Sequence, residues 1–233
     1  MSPPFEEEVN AINSLQANLP YDLEYEKTKL LGDAFKNVFG KSPEVFKAGR
    51  YGVGANTSEI IQRLGYKVDC SVVPFLNMTN IQGPSFLGLP DQPYWFGDNQ
   101  EMLEVPLTKG FAGNLNMIAP PLARILLSQL GEKLKFRGIA SKLKLFDLIN
   151  LTPEGYETED LERILRSQME SGQKVLSLTY HSSSLKIDGS PYVKSGSDRK
   201  EFLAKIDRIL SIFIHDYGVR VIPAINLYNE LKR

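Results

Sequence analysis

Residues 45 to 73 read VFKAGRYGVGANTSEIIQRLGYKVDCSVV, and their pattern changes from strand to helix and back to strand. The apolar start leads into a glycine-rich loop. Asn56, with Glu59 three residues further on, predicts a capping box at the start of a helix that ends near Gly65. The aromatic and β-branched residues of 66–73 then predict a second strand. The order strand, loop, helix, strand indicates a βαβ unit and therefore an α/β fold.

The alternation of strands and helices continues on both sides of this stretch. Apolar residues recur at helical spacing over residues 23–39, where Gly40 is placed to end the helix. Residues 75–100 combine turn-forming with aromatic residues and predict an ordered surface excursion. Further helices are predicted over residues 120–130, 158–172 and 198–217, and further strands over 102–105, 174–180 and 219–222. Because no repeat or linker-like stretch occurs, residues 1–233 are predicted to form a single domain.

The composition narrows the class of protein. The chain has 233 residues, with 27 Lys and Arg against 28 Asp and Glu, so no net positive charge gathers nucleic acid or anionic lipid. No run of about 18 apolar residues occurs, so no membrane-spanning helix is predicted. The first ten residues lack the basic and apolar parts of a signal peptide, and we expect a cytoplasmic location for the chain as written.

Residues that bind transition metals are scarce in this sequence. It has two histidines, His181 and His215, and a single cysteine, Cys70. This count excludes a three-histidine zinc site, a tetrathiolate site and an iron–sulfur cluster. A site of one histidine with carboxylates stays open, although it would bind zinc weakly. The lone cysteine forms no internal disulfide, which is usual in a reducing compartment.

The sequence does not match the common nucleotide-binding and esterase motifs. Gly49, Gly52 and Gly54 lack the G-x-G-x-x-G spacing of dinucleotide-binding loops, and the GKS run at 40–42 lacks the first glycine of a P-loop. No G-x-S-x-G elbow is present either. The serines at 182–184 are therefore predicted to be hydrogen-bonding loop residues.

Polar residues near strand ends are the candidates for chemistry. Lys47 and Arg50 follow the first strand, Asp69 lies in the second, and His181 follows a later apolar strand. In α/β barrels the loops at the carboxyl ends of the strands build the site, so these residues are functional candidates. His215 falls off the apolar stripe of its helix, and we expect it to lie at the surface.

The stretches FKAGRYG at 46–52, LGYKVDCSVVP at 64–74 and LTYHSSSL at 178–185 follow one another in that order. Together they resemble the polysaccharide deacetylases of the NodB-type carbohydrate esterase group. The resemblance is greatest to the WalW-like branch, in which a Pro-Tyr pair such as Pro191-Tyr192 follows the histidine motif. The stretches LEVP at 103–106 and TPEG at 152–155 also match that branch, so the resemblance covers nearly the whole chain.

The resemblance implies a distorted (β/α) barrel that hydrolyses N- or O-acetyl groups of a carbohydrate. It also implies a divalent metal, usually zinc, held by an aspartate and two histidines, and an aspartate that acts as the base. His181 matches the general acid that protonates the leaving amine, and Asp69 matches the aspartate that supports the histidine and the base. Lys47 stands where the family usually has arginine, with Arg50 three residues on, and which of the two holds the catalytic carboxylate stays open.

The metal-binding motifs of that family belong upstream of the first residues of this chain. No histidine precedes His181, so the residues of this chain provide no metal cofactor site of that kind. We therefore expect a barrel that is incomplete at its N-terminus and whose exposed edges favour association with another polypeptide. One alternative is a catalytically inactive carbohydrate-binding protein that places aromatic residues against sugar faces, namely Tyr51, Tyr94, Trp95 and Tyr192. A second is an α/β interaction domain without a carbohydrate ligand.

Overall fold

A computed structural model describes residues 7–112 and 147–233. Within these ranges the chain is a mixed α/β protein with five α-helices, which confirms the α/β part of the predicted fold class but not the predicted barrel. It divides into two compact units, the first formed by residues 1–106 with 222–233 and the second by residues 107–221. The helix predicted over residues 120–130 lies outside the described residues.

The first unit contains a four-stranded mixed sheet. Its strands are β1 (Val45–Phe46), β2 (Val68–Asp69), β3 (Tyr94–Phe96) and β4 (Met102–Glu104). Their order is β1-β2-β4-β3, with β1, β2 and β4 parallel and β3 antiparallel to β4. The helix α2 (Thr57–Arg63) connects the parallel strands β1 and β2, which confirms the predicted βαβ unit. Among the described residues the sheet is open, and no closed barrel is formed.

The capping box predicted at the start of α2 is wrong. Asn56 precedes the helix but makes no side-chain capping bond. The carboxylate of Glu59 accepts a hydrogen bond of 2.8 Å from the hydroxyl of Tyr21, so a tertiary contact takes the place of the local one.

The predicted first helix is confirmed as α1 (Tyr21–Phe39), and Gly40 ends it with a φ of 72°. The face that packs near its start is polar, with Glu24, Lys27 and Thr28 buried. Glu24 Oε1 accepts a hydrogen bond from the Thr57 hydroxyl and one of 3.0 Å from the Gln16 amide. Several apolar residues in the second half of this helix are exposed.

The end of the chain differs from the prediction. Residues 219–222 form no strand, and Pro223 instead starts the helix α5 (Ala224–Leu231), which the sequence pattern did not indicate. This helix packs against β2, and the ring of Tyr228 meets that of Trp95 edge-on at 5.4 Å. A short apolar run is compatible with strand or loop, and here no described strand pairs with it.

The second unit pairs β5 (Lys109–Ala112) with β6 (Asp147–Asn150) in an antiparallel ladder. The helix α3 (Thr158–Glu170) packs against both strands, and α4 (Gly196–Ser211) packs against α3. Both helices confirm sequence predictions, and a π-helical turn at Ile212–Asp216 extends α4. The strand predicted over 174–180 is wrong, because this segment makes isolated hydrogen bonds, such as that of Ser177 N–H to Thr108, rather than a ladder.

One hydrophobic core holds the second unit together. Its buried members include Ile149, Leu161, Ile164, Ile209 and Phe213. They come from β6, α3 and α4 with its π-helical turn, so removing one large side chain weakens the contacts among several elements.

We predict that Ile164→Ala lowers the free energy of unfolding by about 2–5 kcal/mol, because Ile164 is fully buried in this core. Leu203→Ala on α4 is the control, since Leu203 is exposed and its truncation changes the free energy by about 0.5 kcal/mol or less. Urea unfolding followed by circular dichroism measures both values. Equal destabilisation by the two substitutions would contradict the described core.

Candidate functional site

Two buried carboxyl groups lie side by side at the ends of neighbouring strands in the first unit. Asp69 ends β2 and Glu104 ends β4, and the register of the two parallel strands pairs these residues directly. Residues paired in this way point to the same face of the sheet. Their side chains are almost completely buried, with 4% of Asp69 and 2% of Glu104 exposed.

Hydrogen bonds from the following loop hold this carboxyl pair in place. The hydroxyl of Ser71 donates to Asp69 Oδ1 and accepts a bond of 2.8 Å from the backbone N–H of Ala48. Glu104 Oε1 accepts a bond of 3.0 Å from the backbone N–H of Val72. The loop that follows β2 therefore fixes both carboxyl groups.

Burial and mutual repulsion change the ionisation of this pair. Burial raises the pKa of Asp69, and burial together with the charge of Asp69 raises the pKa of Glu104 to about 9. Because two carboxylates this close in a low-dielectric interior repel each other, the pair keeps a proton at neutral pH. Its geometry resembles that of carboxyl dyads, but the burial of both groups keeps substrate away from them.

Lys47, rather than Arg50, is the cation next to the carboxyl pair. Its ammonium group donates a 2.8 Å hydrogen bond to the carbonyl of Cys70 and lies 5.1 Å from the ring centroid of Tyr51. Its charge lowers the pKa values of Asp69 and Glu104, against the effect of burial. The guanidinium of Arg50 instead donates to the hydroxyl of Ser14.

Two neighbouring aromatic residues of β3 have different surroundings. Tyr94 is paired with Glu104 in the sheet, and burial and the charges of both carboxyl groups raise the pKa of its hydroxyl. Trp95 pairs with Leu103 and packs on Tyr228. Of the two, Tyr94 is the aromatic residue that accompanies the carboxyl pair.

A second group of polar side chains surrounds His181 in the second unit. Oε2 of Glu154 lies 2.7 Å from His181 Nδ1, and Oε1 accepts a 3.0 Å bond from the backbone N–H of His181. The His181 side chain is 74% exposed, whereas only 6% of the Glu154 side chain is exposed. Because a carboxylate is an acceptor, we assign the proton on Nδ1, which leaves Nε2 to face a ligand.

The residues after His181 complete this group. The hydroxyl of Ser184 donates to Glu154 Oε1, which makes Ser184 a support for the carboxylate and confirms its predicted hydrogen-bonding role. Ser190 lies 2.9 Å from Ser184, and the backbone N–H of Tyr192 donates to Ser190. The ring of Tyr192 lies beside Gly155, where an added Cβ would be in van der Waals contact with the ring at 3.4 Å, and Gly155 has a φ of 75°.

The structure thus assembles the predicted site residues in separate groups. In the first unit Lys47 lies over the ring of Tyr51 and its charge lowers the pKa of Asp69. Arg50 and Trp95 have other partners. In the second unit His181 contacts Glu154, and Tyr192 lies against the next residue, Gly155. His215 is exposed, as predicted.

Sequence reasoning did not name Glu104 or Glu154 as site residues. Both lie in the LEVP and TPEG stretches that carry the family resemblance. An acid in an otherwise apolar strand end was the signal for Glu104. For Glu154 no sequence signal indicated that it would meet a histidine 27 residues further on.

The metal implied by the resemblance does not fit the described residues. No group of three or more His, Cys, Asp or Glu side chains is placed there to hold a metal ion. The Asp69–Glu104 pair offers two carboxyl groups that share a proton and no nitrogen ligand, and His181 is occupied at Nδ1 by Glu154. This donor set differs from the aspartate and two histidines of the resembled family.

Comparisons of the chain with protein families, with curated proteins and with solved structures give no match. In the described part of the chain, no helix has the length and apolar character needed to cross a membrane.

We predict that the protein loses stability as pH rises from about 5 to about 9, because folded Glu104 keeps a proton that the unfolded chain releases near its ordinary pKa of 4.5. The slope for one proton is at most about 1.4 kcal/mol per pH unit. Glu104→Gln should flatten the curve, because the amide cannot ionise. Urea unfolding at several pH values tests this, with Glu101→Gln as the control because Glu101 is exposed. An unchanged slope in Glu104→Gln would contradict the assignment.

Proposed function

We propose that this chain is a polysaccharide deacetylase-like protein that acts on acetyl groups of a carbohydrate, with His181 as its proton donor. The observation that carries the proposal is the contact of the exposed His181 imidazole with the buried carboxylate of Glu154, at 2.7 Å. A structural histidine is normally held by both ring nitrogens or packed into the core. His181 is held at one nitrogen and presents the other to solvent, which is the arrangement that proton transfer to a substrate needs.

The chemistry assigned to His181 is protonation of the leaving group. The acid form is the doubly protonated ring, which carries a proton on Nε2 as well as the one on Nδ1 that faces Glu154. Water adds to the acetyl carbon, the bond from that carbon to the sugar nitrogen or oxygen breaks, and the Nε2 proton passes to the departing atom. The two protons of the water pass to solvent, and one proton from solvent restores the imidazolium. The products are acetate and a free amino or hydroxyl group. Glu154 is the positioning residue, since its negative charge stabilises the imidazolium and its two oxygens fix the ring and the backbone of His181.

Tyr192 supports the carbohydrate part of the proposal. Its side chain is 48% exposed and lies against Gly155, directly beside the residue that orients His181. Sugar rings present faces of C–H groups that pack on aromatic rings, so an exposed tyrosine next to a proton donor suits a saccharide. The resemblance of the motifs around residues 46–74 and 178–192 points to the same class of substrate.

Of the steps of hydrolysis, the proposal assigns only the protonation of the leaving group to the described residues. In the resembled family a divalent metal polarises the acetyl carbonyl, and the donor set described above does not fit that metal. The finer fold that the resemblance implies, a distorted (β/α) barrel, belongs to this proposal as well. The open sheet with three parallel strands in the first unit is compatible with part of such a barrel.

A carbohydrate-binding protein without hydrolysis is the second candidate. The shortage of metal ligands favours it, because the chain has two histidines and one of them, His215, is exposed on a helix. In that case Tyr192 and His181 bind the sugar, and the Glu154–His181 contact orients a hydrogen-bonding group rather than an acid.

We predict that acetylated oligosaccharides bind next to His181 and shift its ring resonances in a saturable manner. The chain has two histidines, so proton–carbon NMR spectra contain His215 as an internal control that should not move. Tyr192→Ala should weaken the binding, because it removes the aromatic surface beside the imidazole. Absence of any shift with N- and O-acetylated oligosaccharides, or equal shifts at both histidines, would contradict both candidate functions.

Acetate release distinguishes hydrolysis from binding alone. For a deacetylase we expect His181→Ala to lower the rate of acetate release by about 10²- to 10⁴-fold, the usual contribution of a general acid, and His215→Ala to leave it unchanged. Glu154→Gln should lower the rate less than His181→Ala. Binding with no acetate release, or release that His181→Ala leaves unaffected, would favour the carbohydrate-binding alternative.

A further inference from the structure

Two buried serine hydroxyls lie behind the contact of His181 with Glu154. The side chain of Ser184 is fully buried, and only 8% of Ser190 is exposed. The two hydroxyl oxygens lie 2.9 Å apart, and the hydroxyl of Ser184 also bonds to Oε1 of Glu154. The backbone N–H of Tyr192 donates to the hydroxyl of Ser190 over 3.3 Å. This hydrogen-bond network connects the backbone of Tyr192 with the carboxylate that holds His181.

The proton of each hydroxyl in the network has only one place. A carboxylate is purely an acceptor and a hydroxyl has a single proton, so Ser184 uses its proton for Glu154. The oxygen of Ser184 therefore accepts the proton of Ser190, and the oxygen of Ser190 accepts the N–H of Tyr192. All the donors consequently point the same way, from Tyr192 towards Glu154.

The network ends at Glu154, whose charge acts on His181. Oε2 of Glu154 lies 2.7 Å from Nδ1 of His181, and among the described residues the two form an ion pair only with each other. From α4, the ammonium group of Lys205 bonds to the carbonyl of Tyr156. The charged side chains of the loop after His181 are exposed: Lys186, Asp188 and Lys194. The serine hydroxyls are therefore the buried groups that support this carboxylate.

We propose that Ser184 and Ser190 are positioning residues that couple Tyr192, the aromatic surface for the saccharide, to the acid His181. Because donated hydrogen bonds favour the ionised form of a carboxylate, the network keeps Glu154 charged and oriented towards Nδ1. Hydroxyls that accept and donate at once strengthen each other's bonds, so Ser190 acts on Glu154 without touching it. The inference rests on the proposed function, which assigns the acid and the aromatic surface.

An NMR titration of the His181 ring resonances tests this coupling without any substrate. Each donor lost from Glu154 favours the protonated form of the Glu154–His181 pair, so the midpoint of the titration should rise. We expect a rise of about one pH unit for Ser184→Ala and of about 0.2 to 0.5 pH unit for Ser190→Ala, which acts through Ser184. Ser190→Thr should restore the midpoint, since it keeps the hydroxyl.

A matched control and a double variant accompany the titration. Ser183→Ala removes the same hydroxyl from an exposed neighbour of Ser184 and should leave the midpoint unchanged. The double variant Ser184→Ala with Ser190→Ala should match Ser184→Ala alone, because the network is already broken at Ser184. Circular dichroism confirms the fold, and Ser190→Ala with its Thr rescue decides the question if Ser184→Ala does not fold.

An unchanged midpoint in Ser190→Ala, additive shifts in the double variant, or an equal rise in Ser183→Ala would overturn the proposal. Acetate release tests the proposed function separately. If the wild-type chain releases acetate, the pH profile of the rate should move upwards in Ser190→Ala by the same amount as the titration, and a profile that stays in place would also overturn the coupling. A wild-type chain that releases none contradicts hydrolysis, whereas the titration still decides whether the network exists.

Discussion

The pairing of β2 with β4 is the constraint on which the first unit depends. It places Asp69 beside Glu104 in the interior, where both groups are almost completely buried. Two buried acids side by side are tolerated only if a proton is kept and the remaining oxygens are bonded. The hydroxyl of Ser71 and the N–H of Val72 provide those bonds, so the loop after β2 must follow one path. That path also positions the Cys70 carbonyl on which Lys47 is anchored.

In the second unit the buried carboxylate of Glu154 is stabilised by hydrogen bonds rather than by keeping a proton. Glu154 accepts three hydrogen bonds, two of them from the ring and the backbone of His181 and one from Ser184. Its burial therefore does not isolate it, because His181 connects it to the surface. In the first unit each carboxyl group changes the ionisation of the other and the stability of the fold. In the second unit the carboxylate of Glu154 orients the exposed imidazole of His181. This difference is the physical reason for assigning chemistry to His181 rather than to Asp69.

The sequence predicts the βαβ unit, α1, α3 and α4 because each of these rests on a local pattern, such as helical spacing with a glycine at the end. It also predicts His181 and Asp69 as candidates, since both lie next to apolar segments. The partners of those residues depend on contacts between distant parts of the chain. Whether Lys47 or Arg50 accompanies the carboxyl pair is decided by the turn after β1, in which Arg50 and Tyr51 have positive φ angles of 55° and 58°. Non-glycine residues rarely adopt such angles, and no sequence pattern indicates them here.

Helix α1 illustrates the same limit in its packing. The helical spacing of its apolar residues predicts the helix correctly. That spacing identifies an apolar face of the helix but not the residues that the face contacts. The buried contacts at its start are polar, since Gln16 and Thr57 supply hydrogen bonds to Glu24, and the apolar stripe is left on the outside. Helix α1 is therefore fixed by polar hydrogen bonds near its start, while contacts with the other described residues leave Leu31, Val38 and Phe39 in its second half exposed.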